Sequence, residues 1–185
     1  MIDDALELAQ DAMDKAVKRL ATELSRVRAG RANPALLDGV RVDAYGVQVP
    51  LNQVATVSTA DARLLVVKPF DVNNISAIEK AILNGGLGLN PSSDGTVLRV
   101  PIPPLTEERR KSLVKQVKDL AEEAKVAVRQ GRRDANDLLK DAEKDKEISE
   151  DQLKRGLEKV QDLTNSFTAS VDDAVKKKES EIMDD

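Results

Sequence analysis

Residues 105–149 read LTEERRKSLVKQVKDLAEEAKVAVRQGRRDANDLLKDAEKDKEIS, and the way this stretch folds decides the architecture. Its apolar side chains recur at Leu113, Val117, Leu120, Ala124, Ala127, Gly131, Ala135, Leu138 and Ala142, the alternating four-three spacing of one helix face. The start is marked by Pro103-Pro104, by Thr106 as a capping hydroxyl, and by Glu107 and Glu108, whose charge suits the positive end of a helix dipole. A helix of ~40 residues rising 1.5 Å per residue is ~60 Å long. Ser149 and Gln152 have the spacing of a capping box and open another helix almost at once.

That further helix carries its own seam through Leu153, Leu157, Val160, Thr164, Phe167, Val171 and Ala174, and the N-terminal segment does the same through Ile2, Leu6, Ala9, Met13, Ala16, Leu20, Leu24 and Val27 until Gly30. Three long helices with one apolar stripe each are most economically buried against one another. The short step at Lys146-Glu147 favours an antiparallel fold-back within one chain, so a monomeric three-helix bundle is expected; a dimeric coiled coil is the alternative.

Between residues 31 and 104 the texture changes. Val40, Val42 and Ala44 alternate with Arg41, Asp43 and Tyr45, and β-rich runs follow at 47–49, 54–58, 64–67 and 96–102. Residues 74–83 read as one short helix, with Ser76 three residues before Glu79 as its starting signal and Gly85-Gly86 behind it; 91–95 reads as a turn. The fold class is therefore α+β: an elongated three-helix bundle from 1–30 and 105–185, with a small β/α/β domain inserted at 31–104. The chain crosses the boundary twice, near Gly30-Arg31 and near Pro103-Pro104, and two short crossings suit a hinge.

Composition removes many functions. The chain contains no Cys and no His, so disulfides, cysteine nucleophiles, His-based triads and ordinary zinc sites are excluded. No apolar run approaches the roughly 20 residues of a membrane helix, and the first thirty residues lack the pattern of a secretory signal. A cytoplasmic protein is expected. Aromatics are confined to Tyr45, Phe70 and Phe167, too few for a platform that stacks successive bases. Gly85, Gly86 and Gly88 are not followed by Lys-Ser or Lys-Thr, so they read as turn residues and not as a phosphate loop. The paired carboxylates Glu107-Glu108 and Asp172-Asp173 sit on solvated helix faces, and no cofactor, metal or catalytic residue is expected.

Charge carries the positive signal. Bases and acids balance at six each over 31–104, whereas the remainder has 23 bases and 27 acids, giving the net charge of -4. Residues 1–14 carry five acids and no base, and 15–31 carry six bases against Glu23. In the long helix Lys111, Lys118, Lys125 and Arg132 recur every seven residues, joined by Lys115, Arg129 and Arg133, a basic stripe along one face. Asp119, Glu122 and Glu123 interrupt the segment. Arg129, Arg132 and Arg133 lie within two turns, none has an acid four residues earlier, and planar guanidinium suits phosphate. An RNA backbone is the natural target.

The chain resembles the bacterial ribosome recycling factors along its whole length. The resemblance rests on Arg28-Ala-Gly-Arg-Ala-Asn-Pro34 with Leu36-Leu-Asp38, Leu87-Gly-Leu-Asn-Pro91, the run from Arg99 to Arg110, Arg129 with Arg132-Arg-Asp-Ala-Asn136, and Lys144-Asp-Lys-Glu-Ile-Ser149. It implies a tRNA-like, L-shaped outline and a hinge at Gly30, Arg31, Pro103 and Pro104. The bundle would contact ribosomal RNA on the peptidyl-transferase side of the large subunit, and the inserted domain would meet elongation factor G. That factor's GTP hydrolysis would drive separation of the post-termination ribosome into subunits, with no reaction catalysed by this chain. Arg129, Arg132 and Arg133 match the family's RNA-contacting arginines; Arg28, Lys125, Lys118 and Arg110 complete the RNA-binding candidates, with Arg132 foremost. Gly131 departs from the family's usual larger apolar residue, and Ala44 stands where an aromatic is common before Tyr45. The competing class is a helical adaptor that holds another protein.

Overall fold

A computed structural model describes residues 1–27 and 30–184. In chain order its elements are α1 (Ile2–Ser25), β1 (Arg41–Ala44), β2 (Val47–Pro50), β3 (Ala55–Asp61), β4 (Leu64–Pro69), α2 (Ile75–Leu83), β5 (Ser92–Ser93), β6 (Leu98–Pro101), α3 (Glu107–Lys144) and α4 (Glu150–Met183), with short 3-10 turns at Pro34–Leu37, Leu51–Gln53 and Val72–Asn74. Two compact units result: Met1–Val27 with Lys111–Met183, and Arg28–Arg110 with Asp184–Asp185. The divisions fall after Val27 and Arg110 where 30 and 104 were expected, so the first turn of α3 clusters with the insertion.

The bundle forms where its signals predict. The Thr106 hydroxyl accepts from the Arg109 N–H at 3.1 Å, capping α3. At the head of α4 both halves of the capping box are made: the Gln152 N–H donates to Ser149 Oγ at 3.1 Å and the Ser149 N–H to Gln152 Oε1 at 2.8 Å. Between them α3 stops in a Schellman turn. Lys146 takes φ +62°, its N–H bonds the Glu143 carbonyl, and the Glu147 N–H reaches back to Ala142. Five residues thus separate the two long helices, and Ala9, Met13, Val128, Ala135, Leu139 and Val160 are fully buried in the core they share with α1.

The α3 seam differs from the expected one at three places. Ala121, Val128 and Leu139 are buried, while Leu120 is half-buried, Ala127 is exposed and Leu138 is 36% exposed. Both settings have the same mean period, so spacing alone cannot choose between neighbours such as Leu138 and Leu139. The partner helix chooses: a Cβ on Gly156 of α4 would lie 3.0 and 3.2 Å from the two Leu139 methyls. Leu139 fills the space that glycine leaves. Gly131 belongs to the seam as expected, facing α1, where an added Cβ would meet Ala12 Cβ at 3.2 Å and Met13 Cγ at 3.5 Å.

In the inserted unit β1 and β2 form a hairpin of their own, and four antiparallel strands are ordered β3-β4-β6-β5. Leu65 and Val67 on β4, Leu98 and Val100 on β6, and Ile78 and Ile82 on α2 are all buried in one core, the alternation a sheet requires when one face is covered. The capping signal at Ser76 is not used; Ser76 lies inside α2. The Asp71 carboxylate instead accepts from the Asn73 N–H at 3.0 Å and starts the 3-10 turn that leads into the helix. The strand β5 lies in the segment expected to be a turn. Below it Asp94 organises the loop: Oδ1 accepts from the Thr96 N–H, the Thr96 hydroxyl and the Val97 N–H, and Oδ2 from Arg99 at 2.9 Å. These donors hold its carboxyl well below the usual carboxylate range.

Candidate nucleic-acid interface

At 100° per residue, Lys111, Lys115, Lys118, Lys125, Arg129, Arg132 and Arg133 fall within about 100° of the α3 circumference. α3 is continuous from Glu107 to Lys144, so the stripe runs without a break in the helix over about six turns. It lies beside the buried seam, on the flank facing α4. Two contacts fix that: Lys125 Nζ pairs with Asp172 of α4 at 2.7 Å, and Arg132 donates to Gln161 of α4 at 3.4 Å. Lys125 and Arg132 are half-buried, with stems laid on the bundle and charged heads at its edge.

The remaining members differ in how they are held. Arg129 folds back along its own helix, donating through Nε to the Lys125 carbonyl at 3.2 Å and through a terminal nitrogen to Glu122 at 2.6 Å. Lys118 and Arg133 are exposed and form no ion pair with the described residues. Arg110 is half-buried and in phase with the seam, three residues before Leu113, so the helix does not bring it onto the stripe. Arg28 lies outside the described residues. On α1, Lys15 and Lys18 are paired with Asp11 and Asp14 at 2.9 and 2.7 Å, and the Asp14 carboxylate holds the Lys18 ammonium above its ordinary range. Pairing with acids thus tempers the cations of α1 as it does Lys125 and Arg129 on α3. Glu122, which reads from sequence only as an interruption, Asp172, which reads only as a surface carboxylate, and Gln161 are the partners of the stripe; the seven-residue step from Glu122 to Arg129 is the signal available for the first.

The hinge candidates sit beside two backbone clamps. The Ala32 N–H donates to the Ala62 carbonyl at 2.7 Å and the Ile102 N–H to the Arg63 carbonyl at 2.8 Å. Both crossings are thus tied to the β3–β4 turn. Gly30, with φ +77°, and Arg31 lie just outside the first clamp; Pro103 and Pro104, exposed and in no regular element, lie just outside the second.

A model of the ribosome recycling factor family matches residues 20–183. The chain belongs to the ribosome recycling factor family. It is 55% identical over 183 residues to the ribosome-recycling factor of Carboxydothermus hydrogenoformans, covering 99% of each chain, and 53% identical over 184 residues to that of Bacillus subtilis, covering 100% of each. Among solved structures it is similar to a solution structure of the ribosome recycling factor, with TM-score 0.79 and 40% identity over 100% of this chain and 98% of that one. It is also similar to a chain described among models for the T. thermophilus ribosome recycling factor and the E. coli elongation factor G bound to the E. coli post-termination complex, with TM-score 0.67 and 47% identity over 99% of each. The α+β class expected from sequence agrees with these neighbours. No helix among the described residues is long and apolar enough to cross a membrane, and no group of three acidic residues among them is arranged to hold a metal ion.

Proposed function

We propose that this chain binds the post-termination ribosome through the α3 stripe and, with elongation factor G and its GTP hydrolysis, splits it into subunits for reuse. The observation that carries the reading is the gathering of Lys125, Arg129, Arg132 and Arg133 on one flank of α3 in a chain that matches the family over its whole length. The stripe offers its cations to phosphates of large-subunit ribosomal RNA, and the guanidinium groups position the bundle without reading sequence.

The inserted unit receives the second partner. Tyr45 and Phe70, two of three aromatic residues in the chain, are 78% and 68% exposed. Tyr45 stands at a hairpin tip with φ +55°, a costly conformation for a bulky residue. Its hydroxyl donates to Asp71 at 3.2 Å and accepts from Asn74 at 3.2 Å, tying the tip to the segment that carries Phe70. Rigid, exposed aromatics are the usual anchors of protein contacts, and this pair forms the face that meets elongation factor G. The crossings outside Ala32 and Ile102 serve as the hinge that lets force on this unit act on the anchored bundle. The chain itself catalyses nothing, acts as a monomer, and works in the cytoplasm where its target lies.

The test is light scattering of post-termination ribosomes with elongation factor G and GTP. Added protein should lower the scattering as ribosomes separate, and the drop should require GTP. Unchanged scattering at saturating protein refutes the function.

A further inference from the structure

We infer that Glu122 is a built-in attenuator of the RNA-binding stripe, a carboxylate that competes with phosphate for Arg129. This rests on the reading of α3 as the RNA-binding surface. Among residues 111–133 the acids are Asp119, Glu122 and Glu123. At 100° per residue Asp119 and Glu123 fall about 40° and 80° outside the basic arc, whereas Glu122 falls within it, flanked by Lys118, Lys125 and Arg129. Its carboxylate accepts from one terminal nitrogen of Arg129 at 2.6 Å, a donor that a phosphate oxygen would otherwise take. The Lys125 carbonyl accepts from Arg129 Nε at the same time, so the guanidinium lies along the helix and not outward.

Two properties make this an attenuator and not a lock. The Arg129 and Glu122 side chains are 45% and 63% exposed, and exposed pairs of this kind are readily broken. After exchange, Glu122 stays within the arc as a lone negative charge facing the phosphates. Both effects weaken RNA binding, and together they are worth roughly a three- to tenfold reduction in affinity. A factor that must leave the ribosome in each cycle gains from a contact that is not maximally tight.

The experiment measures binding of the full chain to purified large ribosomal subunits at several salt concentrations, for wild type, Glu122→Gln, Arg129→Ala, the double variant Glu122→Gln/Arg129→Ala, and Asp119→Asn. Glu122→Gln should bind about three- to tenfold more tightly and dissociate more slowly, while Asp119→Asn should bind as wild type. In the Arg129→Ala background the Glu122→Gln gain should shrink to at most about twofold, the share left to simple charge removal. Equal affinity of Glu122→Gln and wild type, or a full gain that persists without Arg129, overturns the inference while leaving the RNA-binding reading intact. Wild type that fails to bind the subunits, or binds without salt dependence, overturns that reading itself.

Discussion

Arg132→Ala tests the stripe most directly, because the structure separates the residue's electrostatic role from its structural one. Arg132 is half-buried and makes one hydrogen bond, to Gln161 at 3.4 Å. A bond that long and at the edge of the bundle contributes little, so thermal or urea unfolding should move by no more than about 1 kcal/mol. Binding should change far more. If Lys125, Arg129, Arg132 and Arg133 each neutralise one phosphate, log affinity falls with log salt at a slope of about -3.6, and removal of one gives about -2.7. Between 50 and 200 mM salt, wild type should then lose about 150-fold in affinity and the variant about 40-fold. Cosedimentation with large subunits across that salt range reads both slopes. An affinity loss with an unchanged slope would show that Arg132 acts through packing, and a wild-type loss below about tenfold would remove phosphate contact as the basis of binding.

Other perturbations follow from particular contacts. Leu139→Ala leaves the space over Gly156 empty in a fully buried position, and urea titration should show a loss of about 2–5 kcal/mol. Gly131→Ala should lie within about 1 kcal/mol of wild type, because the helix-propensity gain is offset by a Cβ placed 3.2 Å from Ala12; a clear stabilisation would show that α1 yields freely there. Asp94 has a folded-state pKa below its unfolded value of about 3.9, so its contribution is complete above about pH 5 and is lost as pH falls toward the folded value. Asp94→Asn should therefore flatten the acid dependence of the inserted unit's unfolding, monitored by amide exchange in β5 and β6. Phe70→Ala should leave salt-dependent binding to large subunits unchanged and slow the elongation factor G-dependent drop in scattering; an equal loss in both assays would assign Phe70 to ribosome binding.

Much of the fold could be read from residues whose signal is local. The Ser149–Gln152 box forms both predicted bonds, and Thr106 caps α3 where the prolines end. What spacing could not supply were choices made by another element. Leu138 and Leu139 are equivalent to a periodicity argument, and only the missing side chain at Gly156, seventeen positions on and on a different helix, selects Leu139. Ser76 has the right spacing for a cap, yet Asp71 acts first because its carboxylate reaches Asn73 one turn earlier. Local chemistry was legible, and packing across elements was not.

The same division runs through the candidate site. Arginine and lysine positions on a helix give the direction of every cation, so the stripe itself follows from counting. Whether each cation is available depends on which acid reaches it, and that is a property of rotamers and neighbouring helices. Arg129 and Lys125 are engaged by Glu122 and Asp172, Lys15 and Lys18 by Asp11 and Asp14, while Lys118 and Arg133 stand without an ion pair to the described residues. A chain with net charge -4 can therefore present a basic face of graded availability, from Arg133, without an ion pair to the described residues, to the clamped Arg129. On such a surface a single acid can matter as much as a single base. Changing Glu122 adds as much positive charge to the stripe as placing a new lysine there, without adding a side chain that the RNA must accommodate.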